Sequence, residues 1–264
     1  IYIAKFISFF LKPFFSKKHV FTRNGIRWNL DLNEGIDLSI FLFGTSEQKI
    51  KKLKKIFKLN QKITVLDIGA NIGSISLLIA KMFPKCKIYA IEPTNYAFKK
   101  LTKNLDLNKN LRNNILLKQL FISKDSRPKK VWSSWNFKSE TNKHKKHFGS
   151  LQTIKKKSYI KLNNFINFEK IKRIDFIKLD VDGHELDVLK SGEKFLKKKR
   201  PIIFIEIAPY LYPEFGYKCS ELIKYISKLG YSFYTDDLIK IADIDSYVKK
   251  ITYGSSKNFY LISN

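Results

Sequence analysis

Lys62-Ile-Thr-Val-Leu-Asp-Ile-Gly-Ala-Asn-Ile-Gly73 is an apolar run that ends in an acid and a glycine-rich turn, followed by the helix-forming stretch Ser74-Ile-Ser-Leu-Leu-Ile-Ala80. Strand, turn and helix in that order make a nucleotide-type cofactor site. In an open α/β sheet such sites lie beyond the carboxyl ends of the strands, where glycine lets backbone approach a ligand and a helix N-terminus offers free N–H groups. A second acid, Glu92, closes the apolar run Lys87-Ile-Tyr-Ala-Ile-Glu92 and is placed to hold a ribose. A dinucleotide is disfavoured, because its fingerprint G-x-G-x-x-G brings backbone against a pyrophosphate and here Asn71 stands at the second glycine. A cofactor without phosphates fits better.

Outward from this unit the chain alternates between strand and helix patterns. Strands are expected at 63–67, 87–92, 114–121, 174–180 and 201–207, with helices at 74–83, 95–108, 184–198 and 220–229 and two last strands at 231–235 and 258–262. Such alternation implies a mostly parallel sheet with helices on both faces. Towards the N-terminus, residues 20–32 read as a hairpin turning at Asn24-Gly25, and 35–59 as helical segments capping the sheet. Residues 123–158 break the rhythm. Trp132, Trp135 and Phe137 are scattered there among Lys143, His144, Lys145, Lys146 and His147, the pattern of a variable loop or lid.

The 264 residues suffice for one large core, and the expected organisation is an amphipathic basic-apolar helix at 1–18, a hairpin and helical cap at 19–60 and a catalytic domain at 61–264. A net charge of +28 invites nucleic acid or an anionic membrane. Only six of the 51 basic residues are Arg, however, so the excess is lysine spread over solvated faces, whereas base and phosphate readers lean on the arginine fork. Specific nucleic-acid binding is therefore not expected. Cys86 and Cys219 have neither metal nor disulfide spacing, consistent with a reducing compartment. No apolar run is long enough to span a bilayer. In Ile1–Lys12, Lys5, Ser8 and Lys12 share one helical face and Ile3, Phe6, Ile7, Phe10 and Leu11 lie elsewhere, which leaves open a peripheral membrane contact through residues 1–15. The expected location is the cytoplasm, with that peripheral contact as the one qualification.

Ile174-Asp-Phe-Ile-Lys-Leu-Asp-Val-Asp-Gly-His-Glu-Leu-Asp-Val-Leu189 carries the second constellation. Residues two apart on a strand share a face, so Lys178, Asp180 and Asp182 point together, and a lysine among carboxylates in an apolar strand calls for an ion pair within this row or with Glu206. Asp67, Glu92, Asp180 and Glu206 would then converge from four strand ends on one crevice.

Two resemblances join here. Asp67-x-Gly69-x-Asn71-x-Gly73 with Glu92 resembles the first two motifs of class I S-adenosylmethionine methyltransferases, in which the turn holds the methionine end and the acid the ribose hydroxyls. Asp-Phe-Ile-Lys-Leu-Asp-Val-Asp-Gly-His-Glu-x-x-Val-Leu, with Arg200-Pro201 and the strand to Glu206, is similar to the signature of FkbM-type methyltransferases over about residues 20–207, including Asp31-Leu-Asn-Glu-Gly-Ile-Asp37. Asp182 departs from the family's usual Glu.

The resemblance implies a Rossmann-like sheet of seven strands with the last antiparallel, S-adenosylmethionine as cofactor bound by Asp67, Gly69, Asn71, Gly73 and Glu92, and methylation of a hydroxyl on a glycan or other small molecule. His184 and Asp182 are the candidate bases, with Asp180 beside them. No metal is assigned; a cation held by Asp180, Asp182, His184 and Glu206 is the alternative. An N6-adenine enzyme would carry an Asn/Asp/Ser-Pro-Pro-aromatic motif where this chain has Asp180-Val-Asp-Gly-His184, and a 5-methylcytosine enzyme a Pro-Cys nucleophile that neither cysteine supplies. RNA or protein methylation, and a non-catalytic membrane-associated scaffold, are the remaining alternatives.

Overall fold

The computed structural model describes residues 19–44, 48–125, 130–135, 149–153 and 159–263. Strands β1 (His19–Arg23) and β2 (Ile26–Leu30) form an antiparallel hairpin. Asn24 and Gly25 turn it with φ of 51° and 64°, the left-handed pair that matches the twist of two strands joined by two residues. Helix α1 (Gly35–Phe43) and a 3-10 segment (Gln48–Lys55) follow. The alternating unit then runs β3 (Thr64–Ile68), α2 (Ser74–Met82), β4 (Lys87–Ile91), α3 (Asn95–Leu107) and β5 (Ile115–Lys118). Short strands β6 (Phe121–Ile122), β7 (Lys130–Trp135), β8 (Gly149–Thr153) and β9 (Tyr159–Ile160) precede α4 (Leu162–Phe168). The second half contains β10 (Phe176–Leu179), α5 (Glu185–Ser191), α6 (Glu193–Lys199), β11 (Ile202–Ile207), α7 (Cys219–Lys228), β12 (Tyr231–Tyr234), α8 (Ile244–Lys249) and β13 (Lys257–Ser263).

Seven strands form one sheet in the order β12-β13-β11-β10-β3-β4-β5, parallel from β11 to β5, with β13 antiparallel to both its neighbours. The chain works outward from β3 in one direction and from β10 in the other, so the strand order reverses between these two and opens a crevice at their carboxyl ends. The central strands read as continuous apolar runs because both faces are covered. Val65, Ile88, Phe176 and Phe204 enter the core under the hairpin, α2 and α3, while Leu66, Tyr89, Ile177 and Ile203 enter the core under α4 to α7.

The differences from expectation have local causes. The helix expected over 184–198 is two helices meeting at Gly192, whose N–H bonds the carbonyls of both Val188 and Leu189 and ends the first of them. The strand expected over 114–121 stops at Lys118, and β6 leaves the sheet to pair with β9. Helix α8 was not expected; the Asp243 side chain caps it by accepting the Ser246 N–H. Within the irregular 123–158, β7 and β8 pair antiparallel, with an irregularity between Trp132 and Trp135. Phe137, the basic cluster 143–147 and Lys155–Lys157 lie outside the described residues, as does the amphipathic stretch 1–18. Among the described residues no helix is long and apolar enough to cross a membrane.

The hairpin is docked by polar contacts as well as by Trp28. Asn104 on α3 and Asn108, the residue that ends that helix, both bond to β2. Asn104 Oδ1 accepts the Asn29 N–H (2.8 Å) and its amide donates to the Ile72 carbonyl (2.9 Å). Asn108 accepts the Arg27 N–H and donates to the Arg27 carbonyl, as a neighbouring strand would. Asn104→Ala leaves a buried backbone donor and a buried acceptor unpaired; about 2–3 kcal/mol of stability should be lost, measured by urea unfolding.

Candidate cofactor and catalytic site

The turn after β3 is built by backbone geometry. Gly69 has φ of 83°, and a Cβ there would lie 1.8 Å from the Asp180 carbonyl oxygen, so only glycine allows the tips of β3 and β10 to meet. Gly69 and Ala70 both donate to the Ile91 carbonyl at 2.9 Å, which ties the turn to β4. Asn71 takes φ of 48°, a conformation its short polar side chain tolerates, and Gly73 stands at the N-terminus of α2. Gly69 and Asn71 are half-buried, the parts of the turn that reach the crevice.

Asp67 and Glu92 are placed more deeply than a direct ligand contact requires. Asp67 is fully buried; Oδ2 accepts from Ser76 on α2 at 2.6 Å and Oδ1 lies 3.8 Å from the Lys178 ammonium. Burial pushes its carboxyl above the ordinary range, while Lys178 and Ser76 pull it back. Glu92 is 5% exposed. Its Oε1 accepts from both the Thr94 N–H and hydroxyl, and its Oε2 from the Asn71 N–H at 3.0 Å. A carboxylate oxygen has two lone pairs, so Glu92 keeps one acceptor site on Oε2 for a ribose hydroxyl rather than a free oxygen for each of two. Ser76 and Thr94 were not singled out from the sequence; Ser76 interrupts an apolar helix face, the signal that could have marked it.

The opposite wall comes from β10 and β11. Lys178 is buried, donates to the Gly69 carbonyl at 2.7 Å and pairs with Asp180 Oδ2 at 3.2 Å. Burial alone would lower its pKa, but Asp180 and Asp67 outweigh that and raise it above the ordinary lysine value. After Asp180 the chain turns through Asp182 (φ 47°) and Gly183 (φ 96°). Left-handed φ is a conformation that the short polar side chain of Asp182 tolerates. At Gly183 a Cβ would strike the Phe215 ring at 2.3 Å. Asp180, Asp182 and Glu206 each bring a carboxylate oxygen within 4.8 Å of the others, a spacing that could hold a divalent cation. His184 does not belong to that group. Glu206 accepts from Ser256 at 2.6 Å, and burial together with Asp180 and Asp182 raises its carboxyl well above the ordinary value.

His184 precedes α5 and is 5% exposed, with its ring between Phe121 (5.2 Å) and Phe215 (4.3 Å). The strap Asp31–Asp37 closes the same edge. Glu34 accepts from the Tyr96 hydroxyl, and Lys100 forms ion pairs with both Glu34 and Asp37, so the cap is fastened to the first turns of α3, just after Glu92 and Thr94.

An open α/β sheet with a glycine turn at its switch point and carboxylates at four strand tips is the architecture of the class I methyltransferase fold. Residues 67–233 match the methyltransferase FkbM domain, and the chain belongs to that family, whose cofactor is S-adenosylmethionine. Among solved structures, the chain is similar to methyltransferase FkbM from Methylobacillus flagellatus KT (14% identity, 81% of this chain and 48% of that one, TM-score 0.49). It is also similar to the METTL16 MTase domain (12% identity, 99% of this chain and 79% of that one, TM-score 0.50). The chain thus spans about half the length of the Methylobacillus protein. No match was found among curated proteins.

The donor set suits this cofactor: Glu92 and Asp180 offer carboxylates to a ligand that carries ribose hydroxyls, an ammonium and a sulfonium, and would repel a pyrophosphate.

Glu185 links the site to pH. Its Oε1 accepts the N–H groups of Val181 and Gly183, and burial pushes the carboxyl up to about 8, with Asp180 and Asp182 adding to the rise against the backbone hydrogen bonds. A raised folded-state pKa means that the folded chain binds the extra proton; the stability this contributes is complete below the ordinary value near 4.5 and is lost as pH rises through about 8. Urea midpoints should therefore fall between pH 5 and pH 8, and less steeply in Glu185→Gln, which keeps the acceptor oxygen but cannot titrate.

Proposed function

We propose that the chain transfers the methyl group of S-adenosylmethionine to a hydroxyl of a glycan or another small molecule. The observation that carries this reading is the convergence of Asp180, Asp182 and Glu206 beside the glycine turn. The bound cofactor supplies an electrophilic sulfonium methyl. The turn at Gly69–Gly73 and the acceptor site left on Glu92 orient it, and a carboxylate just beyond the end of β10 takes the proton that the acceptor hydroxyl gives up. Asp182, half-buried on its turn, is favoured as that base over His184, which is enclosed by two aromatic rings. Clustered carboxylates also disfavour a phosphate-bearing acceptor at the crevice despite the basic surface elsewhere, because the local charge acts at much shorter range than the distributed lysines.

Calorimetric titration with S-adenosylmethionine tests the cofactor site: Glu92→Ala should weaken binding about tenfold or more, since it removes the ribose acceptor and releases the Asn71 and Thr94 N–H groups together. Unchanged affinity would remove Glu92 from the site. With a radiolabelled methyl donor, label should enter hydroxyl-bearing glycans and small molecules rather than RNA. Asp182→Asn should lower kcat about 10²-fold or more with little change in KM for the cofactor. Label appearing in RNA alone would reverse the acceptor assignment.

A further inference from the structure

We propose that Lys178 is a positioning residue for methyl transfer: its ammonium clamps the first peptide of the cofactor turn to the acid at the crevice mouth, fixing donor and acceptor sides in one arrangement. The proposal rests on the function proposed above. Its basis is the convergence on one buried ammonium of a hydrogen bond to a turn carbonyl and of two carboxylates at ion-pair distance. Lys178 stands beside Asp67 in the β10–β3 register, and its side chain runs past that residue to the strand tips. It donates to the Gly69 carbonyl at 2.7 Å, pairs with Asp180 at 3.2 Å and lies 3.8 Å from Asp67.

The Gly69 carbonyl belongs to the same peptide unit as the Ala70 N–H, which donates to Ile91 at 2.9 Å. That unit is therefore gripped at its oxygen by β10 and at its hydrogen by β4. A flip of the peptide would break both bonds at once, and the next N–H, that of Asn71, is already directed at Glu92. Asp180 is the second object of the clamp. Its side chain is 37% exposed against 8% for Lys178, so the lysine lies behind the wall and the carboxylate on its surface. Lys178 is thus placed to act through Gly69 and Asp180 rather than on the ligand itself.

The test compares the full chain with Lys178→Met, which keeps the stem and removes the donors, and Lys178→Gln, which keeps an amide donor one bond shorter. Hydrogen exchange without ligand should rise about tenfold or more at Gly69, Ala70 and Asn71 in the Met variant and stay unchanged at β4 and β5 amides, with the Gln variant between. Affinity for S-adenosylhomocysteine should fall about tenfold in the Met variant, again with Gln between. Wild-type exchange at residues 69–71 in both variants would overturn the proposal, and so would exchange that rises equally across the sheet, since that marks general destabilisation. Wild-type protein that fails to bind S-adenosylhomocysteine would count against the proposed function, while the exchange data would still decide the clamp.

Discussion

The contact between the backbone at Gly69 and the carbonyl of Asp180 is the constraint on which the site depends. Two parallel strands normally diverge beyond their last hydrogen bonds, each chain leaving for its own helix. Here the turn after β3 crosses in front of β10 at a separation that excludes even a methyl group. The acids at the ends of the two strands, Asp67 and Asp180, are thereby both held within ion-pair distance of one ammonium, that of Lys178. Burial at these tips is extensive, which is why Asp67 is spent on internal contacts and Glu92 keeps a single acceptor site, while Gly69, Asn71, Asp180 and Asp182 form the surface.

Charge is organised in the opposite sense to the chain as a whole. The net balance is +28, yet the crevice collects Asp180, Asp182 and Glu206, with Lys178 withdrawn behind them. Scattered surface lysines are solvated and screened within about a Debye length, roughly 8–10 Å. The partly buried carboxylates are screened far less, so they set the local potential. A cationic cofactor and a protic acceptor suit such a place.

The strands and helices that could be read in advance are those with a repeating burial pattern: β3, β4, β10 and β11 as apolar runs, and α2 and α3 as striped segments between them. The paired turn residues at Asn24-Gly25 likewise specified their hairpin. What escaped were features without a local period. Helix α8 has only six residues and rests on one capping side chain; the division between α5 and α6 depends on a single glycine in an otherwise helical pattern. In the site, the convergence of acids followed from strand alternation, but depth did not. Nothing in the residue spacing distinguishes an acid that meets a ligand from one that, like Asp67, meets a serine on the next helix. His184 shows the same limit: its titration range suits a base, and its position between Phe121 and Phe215 is a tertiary fact.

The pairing of β2 with asparagine amides on α3 has an effect beyond docking the hairpin. Asn104 and Asn108 recur at the helical rise of about 6 Å for four residues, close to the two-residue repeat of a strand at about 6.6 Å. The helix thereby works as a ruler laid along the strand, with graduations that Arg27 and Asn29 must meet. A single-residue insertion between β2 and Glu34 would be absorbed by the loop, whereas one inside β2 would put every mark out of step and drag the acidic strap away from Lys100. Length variation in related chains should accordingly gather on either side of this strand and spare its interior.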